Sequence, residues 1–143
     1  MMSTSADTIS YNDRPVAIII RSTIDVDNIA FFTDPDNPLQ VGLHHRPKGM
    51  KLVPHIHTME KPVVVDEIQE VLMILSGSIR LTMYTRDGDV IGERILNTGD
   101  SVLLLREGHQ VEYLEETRMF EVKQGPYPGM KNAKIFLKKK TTV

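Results

Sequence analysis

From residue 16 onward, apolar and polar positions of this 143-residue chain follow a period of two, and no stretch sustains a 3.6-residue apolar period over helical length. The run Val16-Ala17-Ile18-Ile19-Ile20 is mostly β-branched and apolar on both faces, which predicts a strand covered on two sides or exchanged into a partner subunit. Residues 29–33 form a second short candidate. Asp34-Pro35-Asp36-Asn37-Pro38 must be a loop, because two prolines and three turn formers cannot hold a ladder. Residues 39–46 alternate, with Val41, Leu43 and His45 on one face. Residues 50–57 read as the next strand, with Lys51, Val53, His55 and His57 on one face and Met50, Leu52 and Ile56 on the other. Residues 58–66 carry Pro62 and read as either a short edge piece or a lid-like loop. Residues 67–75 alternate strongly, with Ile68, Glu70, Leu72 and Ile74 on one side, and Gly77 closes them in a turn.

The second half reads as a run of hairpins. Residues 79–84 and 90–96 flank Asp87-Gly88, which predicts a two-residue turn with positive φ angles. Gly99-Asp100 and Glu107-Gly108 bracket a strand over 101–106. His109 then begins a strand over 109–114, sharing its face with Val111 and Tyr113. Residues 117–124 form another strand, Gly125-Pro126-Tyr127-Pro128-Gly129 must leave regular structure, and 133–138 alternate as a last strand. About ten short strands at ~8–12-residue spacing predict an all-β sandwich or barrel. Residues 1–14, polar and small, read as a flexible N-terminus, and 15–143 as a single domain.

Composition narrows the chemistry. With no cysteine, a disulfide scaffold, a thiolate metal site and a cysteine nucleophile are excluded, so any metal must be held by nitrogen and oxygen. A net charge of −2 leaves no electrostatic footprint for nucleic acid, and Lys138-Lys139-Lys140 reads as a solvated tail. The N-terminal residues lack a basic segment followed by an apolar region, and no apolar run reaches the ~20 residues of a membrane span, so a cytoplasmic protein with no membrane partner is expected.

Two histidines two residues apart on a strand, His55 and His57, aim their imidazoles at one point, which is how paired metal ligands are commonly carried. Around them the residues resemble the cupin superfamily. The first cupin motif is matched by Gly49, five intervening residues, His55, His57, Glu70, six residues and Gly77. It departs from the pattern in the twelve residues between His57 and Glu70, where cupins generally have three or four. The second motif is matched by Gly99-Asp100 and His109, with Leu105 in place of the usual proline and His109 one residue early. The resemblance covers residues 39–125 and implies a double-stranded β-helix, a jelly-roll barrel with metal and ligand inside. Residues 121–129 also look like small cupins associated with bacterial sugar and cell-envelope biosynthesis.

The resemblance implies that His55, His57, Glu70 and His109 hold a divalent ion. Three imidazoles and a carboxylate suit Fe, Mn, Ni, Zn or Co, which would act as a Lewis acid or activate water. His45, Tyr84, Tyr113 and Glu121 are candidates to line the pocket. The resulting expectation is a metal-dependent isomerase, epimerase, lyase or oxygenase acting on a small sugar-related ligand, with no separate catalytic base identified. The alternatives are a non-catalytic binding or regulatory cupin and a metal-free barrel. The strands that are apolar on both faces predict a homodimer.

Overall fold

The structure, a computed structural model, describes residues 5–138. It contains ten strands and, among the described residues, no helix: β1 (Asp7–Tyr11), β2 (Arg14–Ile20), β3 (Asn28–Phe31), β4 (Gly42–His45), β5 (Glu70–Ser76), β6 (Ser78–Tyr84), β7 (Val90–Asn97), β8 (Ser101–Leu104), β9 (Gly108–Tyr113) and β10 (Arg118–Lys123). All pairings are antiparallel. They form a five-stranded sheet in the order β1-β2-β8-β5-β10, a three-stranded sheet in the order β7-β6-β9, and a β3-β4 ribbon.

The two larger sheets pack face to face because their strands place large apolar side chains on alternate positions. Leu72 and Ile74 of β5 and Val102 and Leu104 of β8 meet Ile79, Leu81 and Met83 of β6, all 3% exposed or less. The five-stranded sheet is apolar on its other face too. There Ile18, Leu103 and Leu105 are covered by Phe32, Leu39 and Val41, which flank the β3-β4 ribbon. Both faces of β2 are therefore buried within one chain, as its unbroken apolar run requires.

The sandwich is closed on one side and open on the other. Where β1 meets β7, Gly92 lies so near Ile9 that a Cβ there would stand 3.0 Å from the Ile9 Cγ2 atom. Asp7 adds polar stitching on that side, accepting hydrogen bonds from Arg21 at 3.1 Å and Arg94 at 3.0 Å. Burial, which raises the Asp7 pKa, is outweighed by these two guanidinium groups, so its carboxyl group is held below 3.8. Asp7→Ala is expected to cost about 1 kcal/mol in urea unfolding at pH 7, since each part-exposed pair contributes a few tenths to about 1. The difference from wild type should shrink as pH falls through the lowered carboxyl range, where the charge that makes the pairs is lost. A difference that persists undiminished in acid would refute the charge-pair explanation.

Several sequence expectations are corrected. Residues 7–11, read as part of a flexible terminus, form β1; Asn12 (φ 51°) and Asp13 (φ 59°) supply the two left-handed positions of a tight hairpin turn. Residues 1–4 of that terminus, and Lys139 and Lys140 of the basic tail, lie outside the described residues. At Asp87-Gly88 only Gly88 has positive φ. The Gly88 amide donates to the Thr85 carbonyl and the Thr85 amide to that of Asp89, giving a three-residue loop instead of two. Residues 50–57 and 133–138 carry strand patterns but form no strand. A strand needs a neighbour for its amides, and Pro54 in the middle of the first segment offers none.

Candidate functional site

Antiparallel register builds rows of inward side chains that run from the closed side of the sandwich to the open one. In the five-stranded sheet one row is Ala17, Leu104, Glu70 and Lys123; the next is Ile19, Val102, Leu72 and Glu121. In the facing sheet a row runs Gly92, Met83 and His109. The rows are apolar over β2, β8 and β6 and become polar or charged toward β9 and β10, at Glu70 and Lys123 in one row, Glu121 in the next and His109 in the facing sheet. Glu70, Glu121, Lys123 and His109 thus share one mouth, between β9 and β10, floored by core residues.

Glu70 and His109 face each other across this mouth with Oε2 and Nε2 3.9 Å apart, their side chains 13% and 36% exposed. Burial, followed by the hydrogen bond and charge of Glu121, pushes the Glu70 carboxyl up to about 7. Glu121 moves the opposite way, its pKa lowered first by the same hydrogen bond. Glu70 is thus the partner that keeps the proton and donates it to the Glu121 carboxylate. His109 is lowered by burial and then by the Lys134 charge, against the opposing pull of Glu121, so its imidazole is neutral at pH 7 and free to offer a lone pair.

The other expected residues lie apart from this cluster. His55 and His57 sit on the exposed strandless segment, their rings 5.1 Å apart and edge-on, and His55 Nδ1 is held by the Val53 carbonyl at 2.7 Å. His45, expected to face the interior, is instead 63% exposed and bonded through Nδ1 to Asp25 at 2.7 Å, because β4 belongs to the outer ribbon. Tyr84 is buried, but its hydroxyl bonds Gln110, the neighbour of His109 on the opposite face of β9, at 3.1 Å. Tyr113 shares the face of His109 but lies four residues along, ~13 Å at ~3.3 Å per residue, and is largely exposed. Glu121 alone of these four pocket candidates stands in the mouth. Lys123 and Lys134 were not anticipated. Lys123 was legible in principle, since positions 121 and 123 share one face of a strand; Lys134 carries no local signal.

A metal can be tested against these donors. Two ligand atoms each ~2.1 Å from one ion lie ~3.0–4.2 Å apart for angles of ~90–180°, and the Glu70–His109 separation of 3.9 Å falls inside that range. Both are the right type, a carboxyl group that ligates once ionised and a neutral imidazole. Among the described residues, however, no group of three His, Asp or Glu side chains is close enough to hold an ion together. Of the four expected ligands, Glu70 and His109 face each other across the mouth, and His55 and His57 lie on the exposed segment.

A cavity of about 520 Å³ lies elsewhere, on the outer side of β2 near Asn37, Asp66 and Glu67. Its Arg106 is already committed to Glu67 at 3.1 Å and to the Pro15 carbonyl, and its buried Gln69 exchanges two 2.8 Å hydrogen bonds with Asn37. No described helix is long and apolar enough to cross a membrane. Comparison with protein-family models, with curated proteins and with solved structures gives no match.

Proposed function

We propose that the chain is a cupin-type metal-binding protein, a double-stranded β-helix that holds a divalent ion and acts on a small sugar-related metabolite. The observation that carries this reading is the approach of Glu70 and His109 to 3.9 Å across two facing sheets, from the positions that resemble the two cupin motifs. Glu70 and His109 would hold the ion from the sheets, and His55 and His57 would complete the set when their segment closes over the open edge. The ion when bound would supply Lewis-acid chemistry or activate a water. Glu70 must release its proton to ligate a cation, so binding would strengthen as pH rises, while Glu121 stays ionised beside it. The floor of Met83 and Leu72 keeps bulk water from beneath the reacting group.

The test is metal analysis after incubation with manganese, zinc or iron(II) and removal of free metal. Close to one ion per chain is expected, with binding lost in His109→Ala and Glu70→Ala, weakened in His55→Ala and His57→Ala, and unchanged in His44→Ala. An ion retained by His109→Ala, or none bound by the wild type, would sink the assignment. The second reading, ligand binding without turnover, is favoured by the exposure of His55 and His57, because a centre short of ligands holds its ion weakly. Turnover of a sugar-phosphate or nucleotide-sugar panel, lost in Glu70→Ala, separates the two.

The same proposal includes a homodimer. Met73, Leu75, Phe120 and Val122 lie 41–56% exposed on adjacent strands of the large sheet, an apolar patch that a second copy would cover. Sedimentation should give twice the chain mass, and Phe120→Glu should return it to the monomer; a monomeric wild type at micromolar concentration would remove the dimer.

A further inference from the structure

The mouth holds more positive charge than a metal site needs. Lys123 extends from the inner face of β10, its ammonium 3.9 Å from the Glu121 carboxylate, and is the register partner of Glu70. Lys134 arrives from a different part of the chain. After β10 the backbone turns at Gly129, whose carbonyl accepts from the amides of Asn132 and Ala133, and the following residues run back toward β9. Leu137 then settles against Gly108, so closely that a Cβ on that glycine would collide with the Leu137 Cδ1 atom. Lys134 is thereby suspended between the turn and the residue next to His109. The charges of both lysines act on Glu70, Glu121 and His109 alike, so both ammonium groups bear on the same mouth.

We infer that this mouth takes a small anionic ligand, a sugar bearing a phosphate or carboxylate group, with Lys134 and Lys123 as the residues that bind the anionic oxygens. The inference rests on the proposed metal-binding reading and adds the ligand's charge to it. With a divalent ion present, two carboxylates stand against two ammonium groups and a dication, leaving a net of two positive charges that an uncharged sugar would not neutralise. The two ammonium groups come from separate elements, so an anionic group between them draws β10 and the 129–138 segment together across the opening. Exposed lysines are strongly hydrated point charges with rotatable donors, which suits a compact oxyanion better than a planar, shape-specific partner. A lysine's rotatable donors meet a phosphate or a carboxylate group equally.

Calorimetric titration of the full chain with inorganic phosphate, glucose 1-phosphate, glucuronate and glucose tests this, on manganese-loaded and chelator-treated samples whose metal content is measured in parallel. At least one sugar anion should bind more tightly than glucose by tenfold or more, and the tighter of glucose 1-phosphate and glucuronate identifies the group. Lys134→Gln should weaken that anion about tenfold, Lys134→Arg should restore it to within about twofold, and both should keep the wild-type metal content. Unchanged anion affinity in Lys134→Gln, equal affinity for glucose, or no anion binding by either sample would overturn the inference. A chain that binds glucose 1-phosphate through Lys134 but holds no metal would remove the metal reading and leave this one standing. A chain that holds metal and ignores every anion would do the reverse.

Discussion

Gly77→Ala is expected to destabilise the protein by about 3 kcal/mol, a fall of about 10 °C in thermal midpoint for a chain of this length. Gly77 joins β5 to β6 with φ at +98°, a conformation an L-residue adopts at a cost of about 1 kcal/mol. Space is the larger obstacle. A Cβ would stand 2.5 Å from the Glu116 carbonyl oxygen and 2.8 Å from the Thr117 Cα, backbone atoms that cannot move aside without shifting the entry to β10. Overpacking of this kind costs about 1–3 kcal/mol. Gly49 is the control: its φ is +84°, but nothing lies within 4 Å of the Cβ position, so Gly49→Ala should lose only the conformational part, about 1 kcal/mol. Equal losses in the two variants would show that the close approach of the 116–117 backbone contributes nothing.

The second large effect is a pH dependence with an unusual sign for a carboxyl group. In metal-free protein the Glu70 contribution should fall by about 3 kcal/mol as pH rises from 4.5 to about 7, read as the difference between wild type and Glu70→Gln. In the folded chain burial and Glu121 keep Glu70 protonated up to about 7, whereas the unfolded chain releases that proton near 4.5. Between those values Glu70 binds more protons in the folded state than in the unfolded one, so its contribution is fully present below 4.5 and declines as pH climbs through the folded value. Glu121 moves oppositely, and its contribution arises below pH 4.5; His109, lowered from 6.5 by burial, adds stability as pH rises within the window, and it does so in both proteins. Urea unfolding of wild type and Glu70→Gln at pH 5 and pH 7.5 in a chelator reads the effect as the change in their difference. Parallel curves for wild type and Glu70→Gln would contradict it. A saturating divalent ion should reverse the trend, because it selects the ionised carboxylate.

The strands were legible wherever the pattern also named a partner. Alternation in 79–84 and 90–96, joined by a short glycine turn, predicts both the two strands and their pairing, because a tight hairpin leaves no other register. The unbroken run at 16–20 signals cover on both faces, and β2 has it. The same local signal misleads at 50–57. Residues there alternate as well as those of any strand, yet Val53 and Ile56 are 80% and 90% exposed, since nothing in their own sequence supplies a neighbouring edge. The N-terminal hairpin was missed for the opposite reason: Asn12-Asp13 is a turn signal, but residues 7–11 have only Ile9 to bury.

By itself the sequence determined an all-β chain, the positions of most of its hairpins, a chemistry confined to nitrogen and oxygen ligands, and Glu70 and His109 as residues worth watching. These depend on local periodicity, turn stereochemistry and composition, which act over a few residues. The tertiary structure alone decided that Glu70 and His109 meet, that Glu121 hydrogen-bonds Glu70, and that Lys134 is carried back to the mouth by a turn at Gly129 and the seating of Leu137 on Gly108. Those relations join residues 39, 51 and 64 positions from Glu70, and at such separations it is the order of strands in two facing sheets, not any local pattern, that sets which side chains share a space.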